Sequence, residues 1–308
     1  MAFTPKDVME LRNRTGCGMM ACKNALTEAD GDTEKAIELL REKGLAQQAK
    51  KSGRIAAEGL VYSAYDADKK AGAIVEVNIE TDFAAQNERF IELVHDVAET
   101  VIAANPADLD ALKASEIPGK GVTVEAAVQD LFLSLRENMH VRRFARVEGN
   151  IVTYVHAGGR IAVLVSFDVD DATAAKPEFQ VYAKDVAMQI AAMNPAYLNP
   201  EKVPAEVIEG EKEVLKAQIA NDPKSANKPA NIIEKMVTGK IGKYYKENCL
   251  MQQAFVKDDK IDVETYTANT AKELGTSIKV LDYIRYEKGE GIQKKEEDFA
   301  AEVAGMMK

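Results

Sequence analysis

An α+β fold in several parts is what this sequence predicts, on three observations. The first 45 residues carry three short helical patterns in a row, a strand-strand-helix pattern occurs twice at an offset of 89 residues, and a near-heptad apolar pattern rises out of the second copy. The predicted layout is a three-helix bundle over 1–45, a linker over 46–56 and a first sheet-plus-helix subdomain over 57–145. A second subdomain follows over 146–196 and 248–290, with an inserted helical hairpin over 197–247 and a C-terminal helical module over 291–308.

The bundle is read from its start and stop signals. Thr4 caps a first helix with Pro5 in its first turn, Val8 and Leu11 supply the apolar stripe, and Thr15-Gly16 ends it. Met19, Met20, Cys22, Ala25 and Leu26 mark a second helix; Ala36, Ile37, Leu39 and Leu40 mark a third, entered through Asp30-Gly31-Asp32-Thr33 and predicted to end at Gly44. Residues 46–54 are polar and basic, which places the boundary there.

The repeat is the most informative feature. Ala57-Glu58-Gly59-Leu60-Val61 is echoed by Val147-Glu148-Gly149-Asn150-Ile151-Val152, and Gly72–Val77 by Gly159–Val165. In the helices that follow, Phe90, Asp96, Val97, Ala98, Ala103, Asn105 and Pro106 recur as Phe179, Asp185, Val186, Ala187, Ala192, Asn194 and Pro195. Between the copies, 108–135 holds two helical patterns broken by Ile117-Pro118-Gly119-Lys120-Gly121. Val207, Ile208, Val214, Leu215 and Ile219, then Ile232, Ile233, Met236, Val237, Ile241 and Tyr244, form the two arms of an antiparallel hairpin that packs on itself or on a second copy of the chain. A strand near Gln253–Val256, a helix over Val263–Leu274 stopped by Gly275 and a strand from Ile278 return to the core. Phe299, Val303 and Met306-Met307 then give a short amphipathic helix.

Composition narrows the function. The net charge of −10 and the absence of Trp argue against a general nucleic-acid binder, which needs a basic face to neutralise phosphates. Residues 1–54 nevertheless carry ten Lys and Arg against eight Asp and Glu, so the front end suits a more acidic surface than the body does. Cys17, Cys22 and Cys249 have no disulfide-like spacing, Met1-Ala2-Phe3-Thr4 opens without a signal peptide, and no apolar run reaches the ~20 residues that span a bilayer. A cytoplasmic protein with no membrane contact is expected. His95, His140 and His156 are dispersed, no His or Cys pair has metal-ligand spacing, and the nucleotide-binding and nucleophile motifs are absent, so neither metal nor cofactor is expected.

One stretch fits no pattern. Val75, Val77 and Ile79 alternate with Glu76, Asn78 and Glu80 as a half-buried strand, Asn87-Glu88 opens a helix with Phe90, Val94, Val97 and Val101, and Phe83 is left on the join. Two readings stand level. Asp82 caps the helix with Phe83 folded onto Phe90, or the ring is an exposed plug for a partner's pocket. At the offset of 89, Thr81-Asp82-Phe83 meets Asp170-Asp171-Ala172, so the repeat keeps the acid and dispenses with the ring.

Leu11-Arg12, Thr15-Gly16, Gly18-Met19-Met20, Cys22-Lys23 and Ala25-Leu26, followed by Thr81-Asp82-Phe83, resemble the two signatures of the bacterial translation elongation factor Ts family. The resemblance spans almost the whole chain and includes 138–143, 156–165, 285–292 and Asp298-Phe299-Ala300-Ala301. Ala21, Ala84 and the longer 108–135 segment depart from it. It implies a UBA-like fold for the bundle and a non-enzymatic guanine-nucleotide exchange factor for elongation factor Tu. By resemblance, Arg12, Met19 and Met20 contact the partner's GTPase domain, Thr81, Asp82 and Phe83 wedge beside its nucleotide, and His156, Gly159 and Arg160 grip another of its domains. A scaffold that merely gathers partners, and an enzyme with a small-molecule site, are the competing classes.

Overall fold

Thr4 opens the first helix in the way its neighbours dictate. In α1 (Pro5–Thr15) the Thr4 hydroxyl accepts from the Asp7 amide while the Asp7 carboxylate accepts from the Thr4 amide at 2.6 Å, a reciprocal capping box. α2 (Met19–Glu28) and α3 (Thr33–Lys51) complete the bundle, with Asp32 capping α3 through the amides of Glu34 and Lys35. Val8, Leu11, Cys22, Ala25, Leu26, Ala36 and Leu40 form its core. α3 does not stop at Gly44 but runs on through six residues of the predicted linker. Gly44 is a packing glycine and no cap: a Cβ there would collide with Leu133, which enters the bundle core from a later helix.

The computed structural model describes residues 3–222 and 228–293, and they fall into two compact units. One takes in the chain up to Val147, Val155–Ala162 and the described residues from Tyr286; the other takes in Glu148–Tyr154 and Val163–Arg285.

In the first unit, β1 (Glu58–Asp66) pairs antiparallel with β2 (Ala71–Ile79) in the register Leu60 to Val77 and Val61 to Glu76. A four-residue helix α4 (Asp82–Ala85) leads into α5 (Glu88–Ala104), followed by α6 (Leu109–Ala114), α7 (Val124–Leu135) and β3 (Met139–Glu148). The strand order β1-β2-β3 puts β2 in the centre. Val75, Val77 and Ile79 face Phe90, Val94, Val97 and Val101 of α5 in one core. The other face, expected to meet solvent, is buried too, Glu76 and Asn78 included. That burial rests on polar partners from β3 and the 287–290 turn. α7 also binds the bundle: the Arg41 guanidinium reaches both oxygens of Asp130 at 3.1 Å, and Arg136 donates to Gln47 at 2.9 Å.

The second unit repeats the plan. β4 (Asn150–His156) and β5 (Ile161–Asp168) lead to a short α8 (Asp171–Ala174) and then α9 (Pro177–Met193). Both bounds of α9 lie 89 residues beyond those of α5, and each helix ends on an asparagine in the left-handed region, Asn105 and Asn194. α10 (Ala205–Asn221) and α11 (Ala230–Asn248) form the hairpin. Leu215, Ile219, Val237 and Ile241 make its seam with Ile208, Ile233, Met236 and Tyr245; Tyr245, not Tyr244, packs there, and Val214 and Ile232 are exposed. β6 (Ala254–Phe255), β7 (Asp258–Asp262), α12 (Val263–Leu274) and β8 (Lys279–Glu287) close the unit, with β8 joining a sheet of order β4-β5-β8. The predicted α12 bounds and its Gly275 stop match, whereas β6 is shorter than expected and β7 carried no alternating signal. The predicted C-terminal helix around Phe299 and Val303 lies outside the described residues.

Candidate functional site

The join after β2 is built from a cap, an exposed ring and two buried alanines. Thr81, and not Asp82, caps α4: its hydroxyl accepts from the Ala84 amide at 3.1 Å, and Asn87 independently caps α5 through the Arg89 amide. Ala84 and Ala85 are buried against the first core, which turns Phe83 outward. Its side chain is 86% exposed and does not fold onto Phe90. Among the described residues the Asp82 side chain, also exposed, makes no hydrogen bond or ion pair within the chain. Of the two readings left level by the residues, the capping one fails at both of its contacts.

A loop 56 residues on braces this turn. The Thr81 amide donates to Glu137 Oε2 at 3.0 Å and its hydroxyl lies 2.9 Å from Glu137 Oε1. Glu80 accepts from the Asn138 amide at 2.6 Å and pairs with Arg54 at 3.3 Å. Local spacing carries no signal for the roles of Glu80, Arg54 and Glu137, and the one signal for Asn138 is that it opens a stretch shared with the resembled family.

In the bundle, Arg12, Met19 and Met20 are all exposed, Met20 at 65%. Exposed methionines are adaptable apolar contacts. The α1–α2 turn lies against Ser134 of α7 and the guanidinium of Arg89, since a Cβ on Gly16 would come 2.9 Å from Ser134 Cβ and 2.5 Å from Arg89 Nη1. Cys17 and Cys22 behind it are buried and free, and burial pushes the Cys22 thiol up, so it is packing material.

His156, Gly159 and Arg160 occupy the β4–β5 turn. His156 and Arg160 are exposed, the Gly159 carbonyl accepts from the Val61 amide of β1 at 2.9 Å, and Arg160 pairs with Glu287 at 3.6 Å. Gly159 has φ +93, and a Cβ would meet Leu60 Cδ2 at 2.8 Å, so only glycine lets this turn lie on β1. The structure does not bring His156 into any cluster with His95 or His140, and no group of His, Cys, Asp or Glu able to hold a metal occurs among the described residues.

Two copies of a strand-strand-helix unit, a docked three-helix bundle and an exposed phenylalanine on a braced turn define an α+β protein. A family model described as Elongation factor TS matches residues 80–290. Elongation factor Ts of Clostridium botulinum (strain ATCC 19397 / Type A) is 47% identical over 309 residues, covering 99% of this chain and 98% of its own. Elongation factor Ts of Clostridium kluyveri (strain NBRC 12016) is 48% identical over 305 residues, covering 98% and 97%. The chain belongs to the elongation factor Ts family, whose role is nucleotide exchange on elongation factor Tu in translation elongation.

Proposed function

We propose that this chain releases GDP from elongation factor Tu by inserting the Phe83 ring, with Asp82 beside it and Thr81 beneath it, next to the bound nucleotide. The observation that carries this reading is a ring 86% exposed on a braced turn, where the structurally equivalent turn of the second copy has Ala172. The scaffold does not need the aromatic, and burying it on a partner would recover apolar contact that the free protein forgoes.

A wedge speeds GDP release only if it binds the nucleotide-free partner better than the GDP-bound one. Disturbing the partner's Mg²⁺ and phosphate cradle does this efficiently, because the metal and helix-terminal amides hold most of the phosphate charge. By linkage, GDP or GTP weakens the factor's grip to the same degree, so incoming GTP displaces the factor. Arg12, Met19 and Met20 are assigned to the partner's GTPase domain, and His156, Gly159 and Arg160 to a second domain. Activity belongs to the cytoplasm, where translation proceeds. No helix among the described residues is long and apolar enough to cross a membrane. Self-association through α10 and α11 would use Val214 and Ile232, which the hairpin's own seam leaves exposed.

Stopped-flow release of labelled GDP from elongation factor Tu tests the reading. Phe83→Ala should slow release by roughly 30-fold, the equivalent of ~2 kcal/mol for an aromatic hot spot. Release as fast as wild type sinks it, and an affinity that added GDP leaves unchanged would favour a passive scaffold instead.

A further inference from the structure

The exchange turn is held by two neighbouring pairs that grip each other. Glu80 accepts from the Asn138 amide at 2.6 Å while the Thr81 amide donates to Glu137 at 3.0 Å, so 80–81 and 137–138 trade carboxylate-to-amide bonds in both directions. The Thr81 hydroxyl has one proton to give and lone pairs to receive with. It gives the proton to Glu137 at 2.9 Å and receives the Ala84 amide at 3.1 Å. A hydroxyl whose proton is committed to an anion is the better acceptor, so the Glu137 side chain, bonded to Thr81 alone among the described residues, strengthens the Thr81–Ala84 cap of α4. The Asn138 side chain, itself buried, continues to the carbonyls of Arg54 at 2.8 Å and Ser52 at 3.3 Å, where α3 has just ended. The second copy builds its cap differently: Asp170 carries its own charge and caps α8 directly, accepting from the Thr173 amide at 2.9 Å, while the Thr276 hydroxyl donates to its other oxygen at 3.0 Å. The ring-bearing turn thus has a two-residue cap with its charge supplied from outside.

We propose that Glu137 is a positioning residue for nucleotide exchange, holding the Phe83 turn in its presented conformation and, through Asn138, in register with the end of the bundle. The proposal rests on reading Phe83 as the exchange residue. A turn that is already ordered loses less conformational entropy when it inserts, and an insertion tighter in the nucleotide-free state is what release requires. Glu137 needs no contact with the partner to do this.

The test uses the full chain with elongation factor Tu carrying labelled GDP. Glu137→Ala should lower the release rate at saturating factor about fivefold, the scale of losing charge-assisted bonds at a part-exposed site, with the half-saturating concentration little changed. Glu137→Gln, which retains an acceptor for Thr81, should restore most of the rate, and Phe83→Ala with Glu137→Ala should be no slower than Phe83→Ala alone. In the free protein, amide hydrogen exchange at Ala84 and Ala85 should quicken in Glu137→Ala while global stability changes little. Unchanged protection at those amides overturns the clasp, whatever Phe83 does. Quickened amides with wild-type GDP release overturn the positioning role, as does a double variant slower than Phe83→Ala. Wild-type release by Phe83→Ala would remove the underlying reading and the positioning role with it, and the amides would still decide whether the clasp holds the turn.

Discussion

The Glu76 carboxylate lies 2.6 Å from Nε of Arg143, and no part of Glu76 is open to solvent. Arg142 adds Nη1 at 3.0 Å, Asn78 donates at 3.1 Å, and the Gly289 amide donates at 2.7 Å to the same carboxylate. Arg143 also stacks 4.1 Å over Tyr286 and reaches Glu290 at 3.1 Å. One acid in the middle of β2 thereby ties β3 and the 287–290 turn to the centre of the sheet. An ionised side chain is tolerated there because nearly every lone pair is used.

Removing that acid should be costly. Glu76→Ala leaves two guanidinium groups beside an empty acceptor site and is expected to destabilise the first unit by about 3 kcal/mol, the low end for breaking a buried pair because both arginines keep some solvent contact. Glu76→Gln, which keeps an oxygen for the Gly289 amide, should lose less. Urea midpoints of the two variants check the order.

Phe83→Ala should leave the fold as stable as wild type, within about 0.5 kcal/mol, since an exposed side chain gives up almost no buried surface. Equal thermal unfolding midpoints, set beside a slowed GDP release, would separate a presented ring from a structural one.

Gly159→Ala should lose roughly 1–3 kcal/mol, through a strained positive φ and through contact with Leu60 and Val61. The Val61 amide, which donates to Gly159, should exchange faster in the variant. A neutral effect on both would remove the docked turn from the account.

Asp170 gives a pH signature. Bonds from the Thr173 backbone and side chain hold its carboxyl below the ordinary aspartate range. A group whose folded pKa is depressed stabilises above its unfolded value of about 3.9, and that contribution is lost as pH falls through the folded value. Stability should therefore drop less between pH 5 and strongly acid solution in Asp170→Asn than in wild type, by chemical denaturation at a series of pH values.

Much of this protein could be read from order alone. The α5 and α9 repeat, the caps at Thr4, Asp32 and Asn87 and the Gly275 stop of α12 depend on residues within a few positions of one another, and local spacing records such relations faithfully. The repeat also set an alanine, Ala172, where the first copy has Phe83. What tertiary structure alone decided involves partners far apart in sequence. Leu133 turned Gly44 from a stop into a packing site, and Glu76 found its partners 66, 67 and 213 residues away. Glu137 bonds the Thr81 cap 56 residues upstream, and Asp82 and Phe83 face solvent. A carboxylate in a strand reads as solvent-facing until the chain supplies the donors that bury it, and those donors arrive only when the sheet is assembled.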